Sequence, residues 1–149
     1  MIAIACDHAG IDLKPHVIAV LDEQGIPYTD FGTYTRESVD YPVYGARAAQ
    51  AVADGRCERG IVLCGTGVGI GMAAGKVRGI RCVTCTDTYS AKMSRLHNNA
   101  NMLALGARVV GSELAKDIMR VWLMTAFEGE RHARRVGMID RLDRGETLE

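Results

Sequence analysis

Apolar residues gather in five short runs, MIAIAC (1–6), IPYTDFG (26–32), RGIVLC (59–64), IRCVTC (80–85) and MLALG (102–106). Between them lie longer stretches in which apolar positions recur three and four residues apart. The short runs read as strands, and the spacing between them predicts helices over 11–25, 41–55, 67–77, 88–98 and 112–129. Strict alternation of this kind makes a parallel sheet covered on both faces. The expected fold is α/β: a three-layer α/β/α sandwich around a five-stranded, Rossmann-like parallel sheet.

Local signals refine the pattern. Val17, Ile18, Val20 and Leu21 give the first helix an apolar face, and Pro15 falls in its first turn, where a missing N–H costs least. Pro27 cannot donate to a ladder and so points to an edge position for the second strand. Ser112 stands at the expected N-cap of the fifth helix and Gly129 at its expected stop. Beyond it, Val136, Ile139 and Leu142 predict one extra, C-terminal amphipathic helix with a frayed end.

The chain has 149 residues, enough for one domain, expected over 1–149. Eighteen basic side chains balance eighteen acidic ones, so charge favours neither nucleic acid nor an anionic membrane surface. No apolar run approaches the roughly 20 residues that span a bilayer, and the N-terminus has no basic leader, which reads as a cytoplasmic protein. Five cysteines, an odd number, read as free thiols. Cys82 and Cys85 spell C-V-T-C, but three residues apart in a strand they face opposite sides, and no second ligand pair accompanies them. Histidines and carboxylates do not cluster at ligand spacings, so no metal is expected.

The chemistry concentrates in CGTGVGIG, Cys64 to Gly71. A Walker A loop needs Lys and Ser or Thr after its last glycine, and Ile70, Gly71 and Met72 stand there instead. A dinucleotide fingerprint belongs after the first strand, with different glycine spacing. Two readings remain. The loop is either an amide-rich turn that binds an anion and favours thiolate at Cys64, or a tight turn beside a buried, inert cysteine. Other polar residues stand near predicted strand ends: Asp7 and His8 after the first, Asp40 and Tyr41 after the second, Thr66 after the third, Arg108 after the fifth. His97 and Asn98, at the end of the fourth helix, are expected at the same rim. Arg131 and Arg135, four apart, form either a phosphate-binding pair or part of a solvated charged face.

CDHAG, SVDYP, CGTGVGI, SRLHNNANMLALGARVVG and EGERHARRV, in this order over almost the whole chain, resemble the type B ribose-5-phosphate isomerases. That family also contains allose-6-phosphate and galactose-6-phosphate isomerases. The resemblance implies interconversion of an aldose phosphate and its ketose through an enediolate, without a cofactor. It makes Cys64 the base, His97 the ring-opening acid, and Gly65, Thr66, Gly67, Val68 and Gly69 the oxyanion site. It gives Asp7, Tyr41 and Asn98 to the sugar, and His8, Arg108, Arg131 and Arg135 to the phosphate.

The resemblance also implies a homodimer or dimer of dimers with a shared active site. Relatives often carry serine, asparagine and aspartate where this chain has Gly71, Gly75 and Asn99, departures that bear on the preferred sugar rather than on the reaction. A six-carbon sugar phosphate as substrate, and a non-catalytic sugar-phosphate-binding module, are the competing expectations.

Overall fold

A computed structural model describes residues 1–149. Five strands form one parallel sheet: β1 (Ile2–Cys6), β2 (Tyr28–Asp30), β3 (Arg59–Cys64), β4 (Cys82–Thr84) and β5 (Met102–Gly106). Six helices accompany them: α1 (Lys14–Glu23), α2 (Tyr41–Ala53), α3 (Val68–Gly75), α4 (Thr88–Asn98), α5 (Ser112–Met124) and α6 (Arg131–Asp143). The sheet order is β2-β1-β3-β5-β4. The expected three-layer sandwich with an extra C-terminal helix is therefore present. Pro27 lies just before β2, which is an edge strand, and its carbonyl accepts the Ile2 N–H.

Because side chains alternate along a strand, each central strand feeds two separate cores. Ile2, Ile4, Ile61, Leu63, Leu103 and Leu105 face α1 and α5, where Val17, Leu21, Ile118 and Trp122 complete a large-residue core. Ala3, Ala5, Val62 and Ala104 face α2 and α3. That second layer is thin because its residues are small. At the α2–α3 crossing a Cβ on Gly45 would lie 2.9 Å from the Ile70 carbonyl oxygen, so the two backbones pack directly. Cys82 packs on this side and Cys85 on the other, as their spacing predicts.

Two helix limits differ from expectation. Gly111, not Ser112, is the N-cap of α5, and the helix ends at Met124, not Glu128. Arginines reach in and cap it early. The Arg59 guanidinium donates to the carbonyls of Leu123 (3.1 Å) and Trp122 (3.4 Å), and Arg95 donates to that of Thr125 (3.3 Å). The Glu128 N–H then bonds the Leu96 carbonyl, which turns 125–130 along α4 and delivers α6 beside it. On α6 only Val136 of the predicted apolar stripe is buried; Ile139 and Leu142 remain exposed.

Candidate functional site

The chain order reverses between β1 and β3, since β2 lies on one side of β1 and β3 on the other. In an open parallel sheet the crevice outside the carboxyl ends of such strands is the place for a ligand. Here it receives Asp7 from β1 and Cys64 from β3, in adjacent strands, with the Asp7 N–H bonded to the Leu63 carbonyl.

Cys64 is buried, and its Sγ accepts the Gly67 N–H at 3.1 Å. Gly67 has φ +77, and a Cβ there would meet the Leu105 carbonyl carbon at 2.8 Å. Only glycine fits both demands, and this seats the turn against the end of β5. Gly106 answers from the other side, since a Cβ on it would lie 2.5 Å from the Thr66 carbonyl oxygen. The Thr66 hydroxyl accepts the Val68 N–H at 3.2 Å and is exposed, so its own proton is free to be donated outward.

The neighbours converge on this turn. Asp7 is buried, and its Oδ1 accepts the N–H groups of Ala9 (2.9 Å) and Gly10 (3.0 Å), which leaves the second oxygen for another partner. His8 Nδ1 accepts the Val39 N–H at 3.1 Å, so Nε2 carries the ring's donor. The Arg108 guanidinium runs beside Gly65, where a Cβ would stand 3.4 Å from Nη1. The Tyr41 ring covers Gly69, where a Cβ would meet it at 2.8 Å. Asp7, His8, Tyr41, Cys64, Thr66, Arg108 and the glycine turn thus share one ledge. It is open: the concavities of this chain, the largest about 400 Å³ and flanked by Cys82, Asn98 and Ile139, all lie elsewhere.

The remaining expected residues are not on that ledge. α4 starts beyond the carboxyl end of β4 and runs back, so His97 and Asn98 arrive at the amino-terminal edge of the sheet. There the Asn101 carbonyl takes the Gly60 N–H at the start of β3. Five rises of about 3.3 Å along β3, from Arg59 to Cys64, separate that edge from the thiol by about 16 Å. The expectation that His8 and His97 share a rim within one chain is corrected by this return path. Arg131 and Arg135 are exposed near His97, at the start of α6.

Two residues of this second cluster carried no expectation. The buried His132 ring stacks on His97, centroids 4.1 Å apart and planes 11° from parallel. Glu128 lies 3.6 Å from His132 Nε2 and 4.0 Å from His97 Nε2. Burial, then His97 and the nearby Arg131, hold the His132 pKa below its ordinary value. These three groups sit close enough to suggest a metal site. Stacked rings, however, direct their in-plane lone pairs in parallel, so both cannot meet one ion without a ring turning. No sequence spacing marks His132, because its surroundings read as a solvated charged face.

Burial pushes Cys6 and Cys85 up to about 11 and Cys82 to about 12, and it raises Cys57 as well. Thiols held that high stay protonated near neutrality.

A parallel α/β sheet whose carboxyl edge presents a thiol, an amide-rich turn, a carboxylate and an arginine has the groups that suit a small, oxygen-rich anion. The family follows from comparison. The Ribose/Galactose Isomerase model matches residues 2–139, and the chain belongs to that family. It is 50% identical over 142 residues to ribose-5-phosphate isomerase B of Escherichia coli, which spans 95% of each chain. It is 48% identical over 139 residues to D-erythrulose-4-phosphate isomerase of Pectobacterium atrosepticum, covering 93% of this chain and 91% of that one. The solved structure of Clostridium thermocellum ribose-5-phosphate isomerase B matches with a TM-score of 0.95 at 53% identity, over 97% of each chain.

Proposed function

We propose that the protein interconverts D-ribose 5-phosphate and D-ribulose 5-phosphate through an enediolate, as a cytoplasmic enzyme of pentose phosphate metabolism. The observation that carries this reading is the Cys64 sulfur, held 3.1 Å from the Gly67 amide nitrogen at a strand end beside Asp7 and Arg108. Cys64, as thiolate, takes the C2 proton and returns it to C1. A second proton moves between the two oxygens. With the Gly67 N–H on the Cys64 sulfur and the Val68 N–H on Thr66 Oγ1, the other amide groups of the Gly65 to Gly69 turn and the Thr66 hydroxyl donate to the oxygen on which charge develops, where fixed donors contribute most.

Because the phosphorylated aldose is mostly a closed ring, an acid must open it, and this role falls to His97. Its distance from Cys64 within one chain means that a second copy supplies it. The site is then completed across a homodimer, or within a dimer of dimers. Asp7, His8, Tyr41, Cys64 and Arg108 come from one copy, and His97, Asn98, Arg131 and Arg135 from the other. His8 and the three arginines hold the phosphate, while Asp7, Tyr41 and Asn98 hold the sugar. No step needs a cofactor.

The test is the initial rate on D-ribose 5-phosphate beside four- and six-carbon sugar phosphates, with the Cys64→Ala protein as control. Loss of a positioned proton-transfer group predicts a fall in kcat of about 10³-fold with sugar-phosphate binding retained within a few fold. Near-normal turnover by the variant would remove the cysteine mechanism and favour a binding module. A four-carbon ketose phosphate is the second reading, supported by the near-equal identity to the Pectobacterium enzyme. A faster rate on D-erythrulose 4-phosphate than on ribose 5-phosphate would establish it.

A further inference from the structure

Arg81 stands immediately before β4, at the amino-terminal edge of the sheet and far from Cys64. Its backbone N–H donates to Asn101 Oδ1 at 2.7 Å, which anchors the residue. Its side chain, largely buried, then reaches two separate elements. Nε donates to the carbonyls of Asn98 (3.2 Å) and Asn99 (3.3 Å), and Nη2 donates to that of Asn99 (3.2 Å). Nη1 pairs with Asp140 Oδ1 of α6 at 3.0 Å.

The carbonyls it takes are among the unpaired acceptors at the end of α4, where the helix dipole also favours a cation. Asn99, at φ 45, turns the chain out of the helix at this point, and the guanidinium closes over the turn. Apart from this pair, α6 is tied down by the Asp143 carboxylate, which accepts the Gly79 N–H, and by the buried His132 and Val136. Asp140 lies five residues beyond Arg135, about 7.5 Å along the helix. A shift of the Arg81–Asp140 contact therefore moves the arginines relative to His97 and Asn98.

We infer that Arg81 is a positioning residue that sets the spacing between His97–Asn98 and Arg131–Arg135 in the half-site one chain gives to its partner. The inference rests on the shared site proposed above. The planar fork matters, since a lysine offers one point charge and reaches either the carbonyls or Asp140, but not both in fixed directions. Arg81 touches no substrate in this scheme. It acts through the groups it holds.

Mixed dimers separate this role from general loss of fold. Cys64→Ala and Arg81→Gln chains are co-expressed with two different affinity tags, and the heterodimer is purified through both. Misplacement by about 1 Å predicts a loss of about 10²-fold in kcat/KM for the Arg81→Gln homodimer, with KM raised. In the heterodimer one site carries both faults and the other neither, so activity returns to about half that of the unaltered dimer.

A Cys64→Ala with His97→Asn heterodimer is the control. If the control recovers and the Arg81 pair does not, Arg81 has no part in the donated half and the inference falls while the shared site stands. If neither recovers, the shared site fails and takes the inference with it. An Arg81→Gln homodimer of full activity also overturns it. Where Arg81→Gln yields no soluble protein, Asp140→Ala replaces it and removes only the link to α6. An unchanged KM for ribose 5-phosphate in that variant overturns the proposal.

Discussion

At Gly67 one position must satisfy a left-handed turn, a contact with Leu105 too close for any Cβ, and a hydrogen bond that points its N–H at the Cys64 sulfur. Gly67→Ala is expected to lose about 2 kcal/mol or more of stability and most of its activity, read by urea denaturation and initial rates. The two glycines after the loop behave differently from one another. A side chain at Gly71 would press on Thr84 Oγ1 (2.9 Å) and the Ala104 methyl (3.1 Å), whereas Gly75 faces open space. Gly75→Ala should therefore stabilise, by up to about 0.5–1 kcal/mol, and Gly71→Ala should destabilise by about 1–3 kcal/mol.

Iodoacetamide near neutral pH is expected to inactivate the protein by modifying Cys64 at the glycine turn, and sugar phosphate to protect it. Peptide mass spectrometry and the loss of activity would follow the same time course. The ledge residues are legible in the amino-acid sequence, because each follows a strand of a parallel sheet. Arg81 and His132 are not. One reads as the polar interruption of an apolar strand run, the other as one charge among many, and only their partners from distant parts of the chain give them a role.

Elements are legible where periodicity alone decides them, and less so where tertiary contacts intervene. The limit of α5 is the instructive case: residues 125–128 have helical composition, but arginines from β3 and α4 take its last carbonyls and the chain leaves the helix. The position of His97 is open to reasoning from connectivity, since a helix crossing between parallel strands must end at the edge opposite to where it began.

At the entry to α6, Glu130 adopts φ 52, a conformation that favours glycine. Glu130→Gly is expected to raise stability by about 1 kcal/mol, measured by thermal unfolding. The buried His132 at the same corner links stability to pH. Unfolded His132 takes up its proton near 6.5 and the folded residue only at lower pH, so the unfolded chain binds more protons in between. Stability should fall as pH drops from about 6.5 towards that lower folded value. Melting at pH 7.5 and 5.5 measures this, and His132→Phe should narrow the difference.

Across the whole molecule the candidate site residues divide between the two ends of the sheet. Its carboxyl edge carries the thiol and the amide turn, and its amino edge, with α6, carries the histidines and the arginine pair. The strands between them act as a rigid spacer whose length no side-chain substitution alters. The proposed sharing of one site between two chains makes the rate depend on their association. Above the dissociation constant of the pair, activity per milligram is constant. Below it, activity per milligram falls in proportion to dilution, and the total rate rises with the square of chain concentration. Under that proposal the chain meters its own abundance, and a bend from constant to proportional activity per milligram in a dilution series is the kinetic signature expected.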